Sequence, residues 1–290
     1  MDIGNTGAVQ PVRVSSDVGP WLLVAPALIF VTAFYLFPAL SVGALSFTDP
    51  VPGLGNYVDL AASQSARHVL WVTFKITFIT ALLAVALGYV LALAITFLSQ
   101  TVHKLLILAI VLPMWISALV RAFCWLLLLG NNGVVNQTLL AIGVIGAPVA
   151  FVRNEIGVVV GMVHYLIPYA VLPLLAVMQG IDKRQLWAAR SLGSSTGYTL
   201  WRVFIPQTLT GVAGAFVLVF IFGLGFFVTP AVLGGGKVLM ASEFVTMLVL
   251  QMARWGQGAA LAVALLVASA ALMVVLSRFM SIDRQFGKLQ

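Results

Sequence analysis

Six long apolar segments, separated by polar connections, dominate the pattern along this chain. They run over residues 21–47, 69–98, 105–129, 156–178, 209–233 and 259–279. Each is close to or longer than the roughly 20 residues that a helix needs to cross a bilayer. Because backbone groups in lipid have no water to bind, the segments are predicted to be helices rather than lone strands. The first is too long for the apolar part of a signal peptide, and Asp2 and Asp17 dilute the positive charge before it, so we expect a retained span.

The connection over residues 181–207 holds the densest run of polar side chains between two apolar segments. Good helix formers over residues 183–192 precede Gly193, which predicts a helix that stops at this glycine. The hydroxyl residues at positions 194–196 offer an N-cap for a second helix. We expect Pro206 to end that helix before the fifth span.

One face of the first helix in this connection is predicted to be shallow. By i, i+3 spacing it carries Leu186, Ala189, Leu192 and Gly193. A shallow face permits close approach of another protein, which favours a docking role. The alternative is an amphipathic connector that has no partner.

The composition excludes a soluble globule. Hydrophobic residues make up 62% of the chain and charged residues only 8%, whereas a soluble domain carries roughly a quarter charged residues. We therefore predict an all-α membrane protein with a tail over residues 1–19, a transmembrane domain over residues 20–280 and a second tail over residues 281–290. The single cysteine, Cys124, lies in an apolar run, so no disulfide framework is expected.

The placement of the positive charge is more informative than the net value of +7, which we do not interpret as nucleic-acid binding. With the N-terminus in the cytoplasm, nine Lys and Arg residues fall on the cytoplasmic side and four on the outer side. Cytoplasmic connections carry the excess of Lys and Arg in membrane proteins. Both termini and the 181–207 connection are therefore predicted to be cytoplasmic.

Ionisable and aromatic side chains inside the spans are the candidates for a solute pathway. Arg121 lies well inside the third segment; its alternative role is to cap backbone carbonyls or join an ion pair. The stretch with Tyr165 and Tyr169 is expected to be broken by Pro168 and Pro173, or else to be a kinked packing helix. The full set of pathway candidates is Arg121, Trp125, Tyr165, Tyr169, Phe226, Phe227 and Thr229.

The predicted gate also has a packing alternative, and Lys75 is expected to have a role outside the pathway. Phe226, Phe227 and Thr229 are expected to shape a gate, although an aromatic pair in a membrane helix is more often plain packing. Lys75, near the start of the second span, is expected to snorkel to the interface.

The motifs give no support to an enzyme or a metal site. No G-x-x-x-x-G-K-[ST] or H-E-x-x-H occurs in the sequence. His68, His103 and His164 are widely separated, so no metal site is predicted. Any nucleotide hydrolysis must then belong to a separate chain.

The sequence LWAARSLGSS over residues 186–195, followed by VFIP over residues 203–206, resembles the EAA loop of the permeases of ABC importers. Ala188, Ala189, Gly193 and Pro206 match the family pattern in register, whereas the family's Glu falls on Trp187. The segments GNY at 55–57, LP at 112–113, LVR at 119–121, GFFVTP at 225–230 and LGG at 233–235 look like those of the spermidine/putrescine type. The resemblance covers most of the chain from about residue 20 onward.

This resemblance implies a type I importer permease with six spans in a bacterial inner membrane. It implies a second permease subunit, two cytoplasmic ATPase subunits and a periplasmic solute-binding protein as partners. ATP and Mg would be bound by the ATPase subunits, and no cofactor is expected in this chain. The residues expected to couple to the ATPase are Leu186, Trp187, Ala188, Ala189, Arg190, Leu192 and Gly193.

The substrate implied by the resemblance is a polyamine or a related small solute. Glu155 and Glu243, near outer span ends, are candidates to meet a cation, whereas Arg121 would repel one if it faced the pathway. Two other classes remain open from the residues alone. An ion-coupled secondary transporter would need acids at mid-membrane, which the pattern lacks. A non-transporting assembly protein would leave the 181–207 connection without a mechanical role.

Overall fold

The computed structural model describes residues 18–286 and the side chains of residues 23–275, and all regular structure in this part is helical. The α-helices are α1 Val18–Val31, α2 Phe37–Thr48, α3 Gly55–Ala62, α4 Gln64–Phe97, α5 Gln100–Val111, α6 Ala118–Leu129, α7 Val134–Ala141, α8 Glu155–Gly180, α9 Lys183–Ser191, α10 Thr196–Thr199, α11 Ile205–Leu224, α12 Val228–Gly234, α13 Ala241–Thr246 and α14 Trp255–Phe286. Thr32–Leu36, Leu200–Phe204 and Met247–Gln251 are π-helical, and Leu112–Trp115 is a 3-10 turn. The tails predicted at 1–19 and 281–290 lie largely outside the described residues, as do Arg13 and Lys288.

Six helical stretches in the described part are long and apolar enough to cross a membrane, which confirms the predicted number. They are Leu23–Thr48, Gln64–Phe97, Ala118–Ala141, Glu155–Gly180, Thr196–Leu224 and Trp255–Val275. The apolar window of the first stretch has no residue buried inside the chain. This stretch therefore leaves a long apolar surface for lipid or for another protein.

The core is formed by α4, α8 and α11. Helices α4 and α8 run parallel, since Lys75 contacts Glu155 near their starts and Thr96 contacts Met178 near their ends. They are in close contact, because a Cβ added at Gly88 would lie only 2.9 Å from the Cβ of Ala170. Helix α11 runs antiparallel to both. Its Gly223 packs on Thr77 of α4, and the hydroxyl of its Thr208 lies 2.9 Å from that of Tyr89, farther along α4.

The third predicted span, residues 105–129, is not one helix. Helix α5 ends at Val111, the 3-10 turn Leu112–Trp115 follows, and α6 starts at Ala118. Pro113 has no N–H to continue the helical ladder, and Ile116 adopts an extended backbone. The prediction missed the break because the residues of the turn are as apolar as the helices around them.

The fifth predicted span, residues 209–233, is also divided. Helix α11 ends at Leu224, and α12 starts at Val228 after a turn. Pro230 explains the restart, since it lies in the first turn of α12, where no intrahelical N–H is needed. The carbonyl of Phe226 at this break accepts a hydrogen bond of 2.5 Å from the hydroxyl of Ser242.

The fourth span differs from expectation in the opposite sense. Helix α8 continues from Glu155 to Gly180 with Pro168 and Pro173 inside it, so the predicted break there is wrong. Leu166, Ala170 and Leu174 of this helix are completely buried. Packing on α4 and α11 thus holds the helix together across both prolines.

Candidate functional site

Helix α9 lies in the first half of the predicted coupling connection, residues 181–207. It starts where the side chain of Asp182 accepts a hydrogen bond of 2.9 Å from the backbone N–H of Arg184, which satisfies one free donor of the first turn. It ends at Ser191, one residue before the predicted limit. A helix followed by Gly193 was therefore predicted correctly.

Gly193 closes α9 in a Schellman motif. Its φ of +86° lies in the left-handed region, which glycine adopts without the Cβ clash of other residues. Its N–H donates to the carbonyl of Arg190, and the N–H of Ser194 donates to that of Ala189, at 3.0 and 3.2 Å. The side chain of Ser195 then caps α10 by accepting from the N–H of Tyr198. The turn is thus defined by hydrogen bonds on both sides.

The surface that α9 offers differs from the predicted face. Leu186 packs against the core cluster that contains Phe204, whereas Trp187 and Leu192 are 63% and 88% exposed. The prediction that Leu186 and Leu192 share one open face is wrong, because six residues of helix separate their directions by about 120° and Leu192 already lies past the last helical residue. Ala188 and Arg190 are exposed, and Ala189 is half-buried.

The connection continues into the fifth span without a stop. From Thr196 to Leu224 the chain is helical throughout, with a π-helical turn at Leu200–Phe204. Pro206 was expected to end a helix, but it occupies the first turn of α11. The wider π turn before it accommodates the missing N–H, since the N–H of Ile205 reaches back five residues to the carbonyl of Leu200.

Phe204 anchors this segment to the bundle. It is 1% exposed, and its ring centroid lies 5.1 Å from that of Phe97 at the end of α4. Leu186 of α9 packs against the same cluster. The 181–207 connection, called the elbow from here on, therefore exposes side chains of α9 while its base is fixed in the core.

Arg121 connects the break between α5 and α6 to helix α8. Its guanidinium donates to the carbonyls of Pro113 and Ile116 at the break before α6. The Pro113 carbonyl also accepts from the backbone N–H of Ile116, whereas the Ile116 carbonyl has no backbone donor among the described residues. The guanidinium carbon also lies 4.5 Å from the centroid of the Tyr165 ring, a cation–π contact. The side chain is 6% exposed. Among the two alternatives at the sequence level, the geometry matches the carbonyl-capping role.

An aromatic cluster extends from Tyr165 along α8. The rings of Tyr165 and Tyr169 are stacked at 6.2 Å, and Tyr165 meets Phe226 edge-on at 4.7 Å. Tyr169 lies 4.8 Å from Phe222, which the sequence analysis missed. Four of the predicted pathway residues, together with Phe222, thus form one connected group: Arg121, Tyr165, Tyr169 and Phe226.

The remaining pathway candidates lie in other environments. The ring N–H of Trp125 donates to Nδ1 of His164 at 3.1 Å, a partner that the sequence did not reveal. Thr229 is buried, and a Cβ added at Gly161 would approach its methyl group to 2.7 Å. Phe227 is 41% exposed. The neighbours Phe226, Phe227 and Thr229 therefore do not act on one common surface.

The charges near the outer ends of the spans are arranged differently from the prediction. Lys75 and Glu155 form an ion pair at 2.6 Å, so Glu155 is not free to meet a cation and Lys75 does not simply snorkel. One oxygen of Glu243 is buried without a hydrogen-bond partner in the part of the chain that the structure describes. Burial raises the pKa of this carboxyl above its ordinary value.

Comparisons with known proteins agree with this geometry. Residues 84–282 match the model of the family "Binding-protein-dependent transport system inner membrane component". The chain is 31% identical over 254 residues to the spermidine/putrescine transport system permease protein PotB of Haemophilus influenzae, covering 84% of this chain and 88% of that protein. It is 30% identical to PotB of Escherichia coli, covering 79% and 83%.

A solved structure supports the fold. A bacterial alginate ABC transporter in complex with an alginate pentasaccharide-bound periplasmic protein contains a chain that matches with a TM-score of 0.77, at 20% identity, covering 91% of this chain and 96% of that one. The chain is thus a multi-pass inner membrane protein with the type I importer permease fold. It belongs to the family of binding-protein-dependent transport system inner membrane components and is the permease subunit of an ABC importer.

Proposed function

We propose that residues 181–207 couple this permease to a separate cytoplasmic ATPase, with ATP and Mg bound by two ATPase subunits. The observation that carries this proposal is the exposed elbow itself, in which α9 is closed by Gly193 and joined through α10 to the continuous helix of the fifth span. Coupling needs an element that moves as a unit between two states. Movement of α9 would be transmitted to α11 instead of being absorbed by a loose loop.

The proposed contact surface on the ATPase side is Trp187, Ala188, Arg190 and Leu192. Trp187 stands where the family pattern has Glu, and its exposed ring offers apolar area in place of a charge. Leu186, which packs against the core cluster, and the half-buried Ala189 instead hold α9 against the bundle. With this elbow in the cytoplasm, both termini are cytoplasmic as well, because six spans return the chain to its starting side.

A second permease subunit is proposed to complete the solute pathway. Two apolar surfaces support it. The first span has no buried residue in its apolar window, and a groove of about 460 Å³ between α4, α6 and α8 is lined by Leu83, Leu87, Trp125, Val160, Val163 and Ile167, among others.

The proposed substrate is a polyamine delivered by a periplasmic solute-binding protein. Support comes from the relatives, which are named for spermidine and putrescine, and from the aromatic rings of Tyr165, Tyr169, Phe222 and Phe226, whose faces attract cations. Arg121 covers one face of Tyr165 and reduces the area open to a cation. Selection of the solute would then rest mainly on the binding protein.

The test is reconstitution of this chain with an ATPase, a second permease and a solute-binding protein from the same genome, followed by measurement of ATP hydrolysis and of labelled spermidine uptake. We expect binding protein loaded with spermidine to stimulate both. Trp187→Ala should weaken ATPase association, whereas Trp201→Ala should leave it intact, because Trp201 is also exposed but lies in the π-helical turn Leu200–Phe204, outside the proposed contact surface. Absence of stimulation in a fully assembled complex would contradict the coupling proposal, and stimulation by another solute alone would contradict the polyamine assignment.

A further inference from the structure

Arg153 and Lys237 line the same two cavities at the end of the bundle opposite the elbow. The first cavity has a volume of about 460 Å³ and includes His68, Asn154 and Glu155 in its lining. The second has a volume of about 730 Å³ and includes Asn131 and Asn132. We call the two cavities together the outer cleft.

The position of the outer cleft follows from the two parallel core helices. Helix α4 begins beside the cleft, with Ser65 in its lining, and ends at Phe97 against Phe204 of the elbow. Helix α8 begins at Glu155 in the cleft and ends at Gly180, just before α9. At about 1.5 Å per residue, α8 alone separates the two ends by roughly 39 Å. If the elbow is cytoplasmic, the outer cleft therefore faces the periplasm.

The charge of the outer cleft is unbalanced. Its one carboxylate, Glu155, already pairs with Lys75 at 2.6 Å. Arg153 and Lys237 are both exposed, and neither side chain has a hydrogen bond or ion pair within the described residues. Two uncompensated cations in a concave polar surface attract an anionic partner.

Arg153 and Lys237 lie next to the contact between α8 and α12, Arg153 just before α8 and Lys237 just after α12. Arg153 has a φ of +60°, and its backbone N–H donates to the carbonyl of Leu233 in α12 at 2.7 Å. Lys237 follows the turn that ends α12, where its N–H donates to the carbonyl of Gly234. Between these positions α12 packs on α8 at Gly161. A ligand that contacted both Arg153 and Lys237 would hold the N-terminus of α8 against the C-terminus of α12.

We propose that acidic side chains of the solute-binding protein dock in the outer cleft between Arg153 and Lys237. This inference rests on the proposed function, since it needs the cleft to face the periplasm. The amide side chains of Asn131, Asn132 and Asn154 add donors suited to a carboxylate. Arg153, Asn154 and Lys237 lie in connections between helices at the end of the bundle and not on a lipid-facing helix surface, which favours a protein partner over a lipid headgroup. Docking would act on α8 and α12, the helices that carry Tyr165 and Thr229.

The test compares Arg153→Glu with Lys237→Glu, singly and together, in the complete complex in nanodiscs of zwitterionic lipid. The matched control is Arg67→Glu, the same charge change in the first turn of α4, exposed at the same end of the bundle but outside both cavities. The dissociation constant for the solute-loaded binding protein is measured at low and moderate salt. Assembly of each variant is checked by its co-purification with the other subunits.

We expect the double variant to raise the dissociation constant by at least about tenfold and to flatten its salt dependence, since charged contacts govern docking rates. Arg67→Glu should change it less, because the Arg67 side chain lines neither cavity. Replacing an acidic residue of the binding protein by Lys should restore affinity to the double variant. Unchanged affinity in the double variant, with stimulation of the wild-type complex intact, overturns this inference and leaves the proposed function standing. If the wild-type complex neither binds the binding protein nor is stimulated by it, both this inference and the proposed function are overturned. If the effects of the Arg153 and Lys237 variants depend on anionic lipid, the choice of a protein partner is overturned.

Discussion

The guanidinium carbon of Arg121 lies 4.5 Å from the centre of the Tyr165 ring, and the same side chain donates to the carbonyls of Pro113 and Ile116. One arginine thus closes the break between α5 and α6 and fixes that break against α8. An apolar residue at this position would leave the carbonyl of Ile116 without a donor among the described residues and would remove one of the two donors to the carbonyl of Pro113. The intramembrane charge is therefore first a structural element.

Substitution of Arg121 tests this role. Arg121→Ala should lower the thermal unfolding temperature, because a carbonyl left without a donor in apolar surroundings, here that of Ile116, costs about 1–3 kcal/mol. Arg121→Lys keeps the charge but not the planar fork, so we expect an intermediate value. The measurement is thermal unfolding of the purified complex in detergent. If Arg121→Ala were as stable as wild type, the capping account would be wrong.

Gly161 tests the contact between α8 and α12. A Cβ at this position would lie 2.7 Å from the methyl of Thr229 and 2.5 Å from Cδ1 of Leu233, both of them buried. Gly161→Ala should therefore destabilise, since overpacking of a filled site costs about 1–3 kcal/mol. Gly180→Ala is the control, because no atom lies within 4 Å of its added Cβ, and alanine favours a helix by about 0.5–1 kcal/mol. Opposite shifts in unfolding temperature are expected, and equal shifts would argue against close packing at Gly161.

Gly193 tests the shape of the elbow. No atom lies within 4 Å of a Cβ added there, so a substitution acts through the backbone and not through volume. The left-handed conformation costs other residues about 1–2 kcal/mol, and a β-branched residue tolerates it least. We expect Gly193→Val to reduce ATP-driven uptake by about 5- to 30-fold, the population change that corresponds to this energy. Gly193→Asn should retain most uptake, since Asn adopts this conformation more readily. Equal uptake by both variants would exclude a requirement for the Schellman turn.

The buried carboxyl of Glu243 should make the free energy of unfolding depend on pH. Burial raises the pKa of its carboxyl in the folded state, so the folded chain holds this proton to higher pH than the unfolded chain does. Stability is therefore lost as pH rises from the unfolded pKa, near 4.5, to the raised folded pKa, and the loss remains above it. Glu243→Gln removes the effect.

The unfolding temperature of Glu243→Gln should exceed that of wild type at neutral pH, and the difference should vanish in acid. Glu155→Gln is the control with the opposite sign, because it removes the partner of Lys75. A difference for Glu243→Gln that did not depend on pH would contradict the assignment.

Much of the fold could be predicted from the sequence because hydrophobic length reports membrane spans directly. The number of spans and the helix that ends before Gly193 follow from local pattern and capping residues. The breaks at Pro113 and near Pro230 were missed, since hydropathy does not distinguish an apolar turn from an apolar helix. Pro168 shows the converse, because packing from neighbouring helices preserved a helix that its proline alone would interrupt.

The contacts of the candidate site were beyond the sequence for a different reason. Lys75 and Glu155 are 80 residues apart, and the Arg121–Tyr165 contact joins two spans whose register no local pattern specifies. Trp125 was named as a candidate, but its partner His164 was not. The proline at position 113 was the one signal that could have pointed to carbonyls in need of a donor.

The central claim is that the elbow contacts an ATPase subunit, and cysteine cross-linking tests it most directly. Leu192→Cys, in a background where the native Cys124 is replaced by serine, places a thiol at the most exposed apolar position of the elbow. Leu54→Cys, exposed at the opposite end of the bundle, is the control. In the assembled complex we predict a cross-link from position 192 to the ATPase, with a yield that changes on ATP binding, and none from position 54. An assembled, transport-competent complex in which position 192 forms no cross-link to the ATPase would contradict the account.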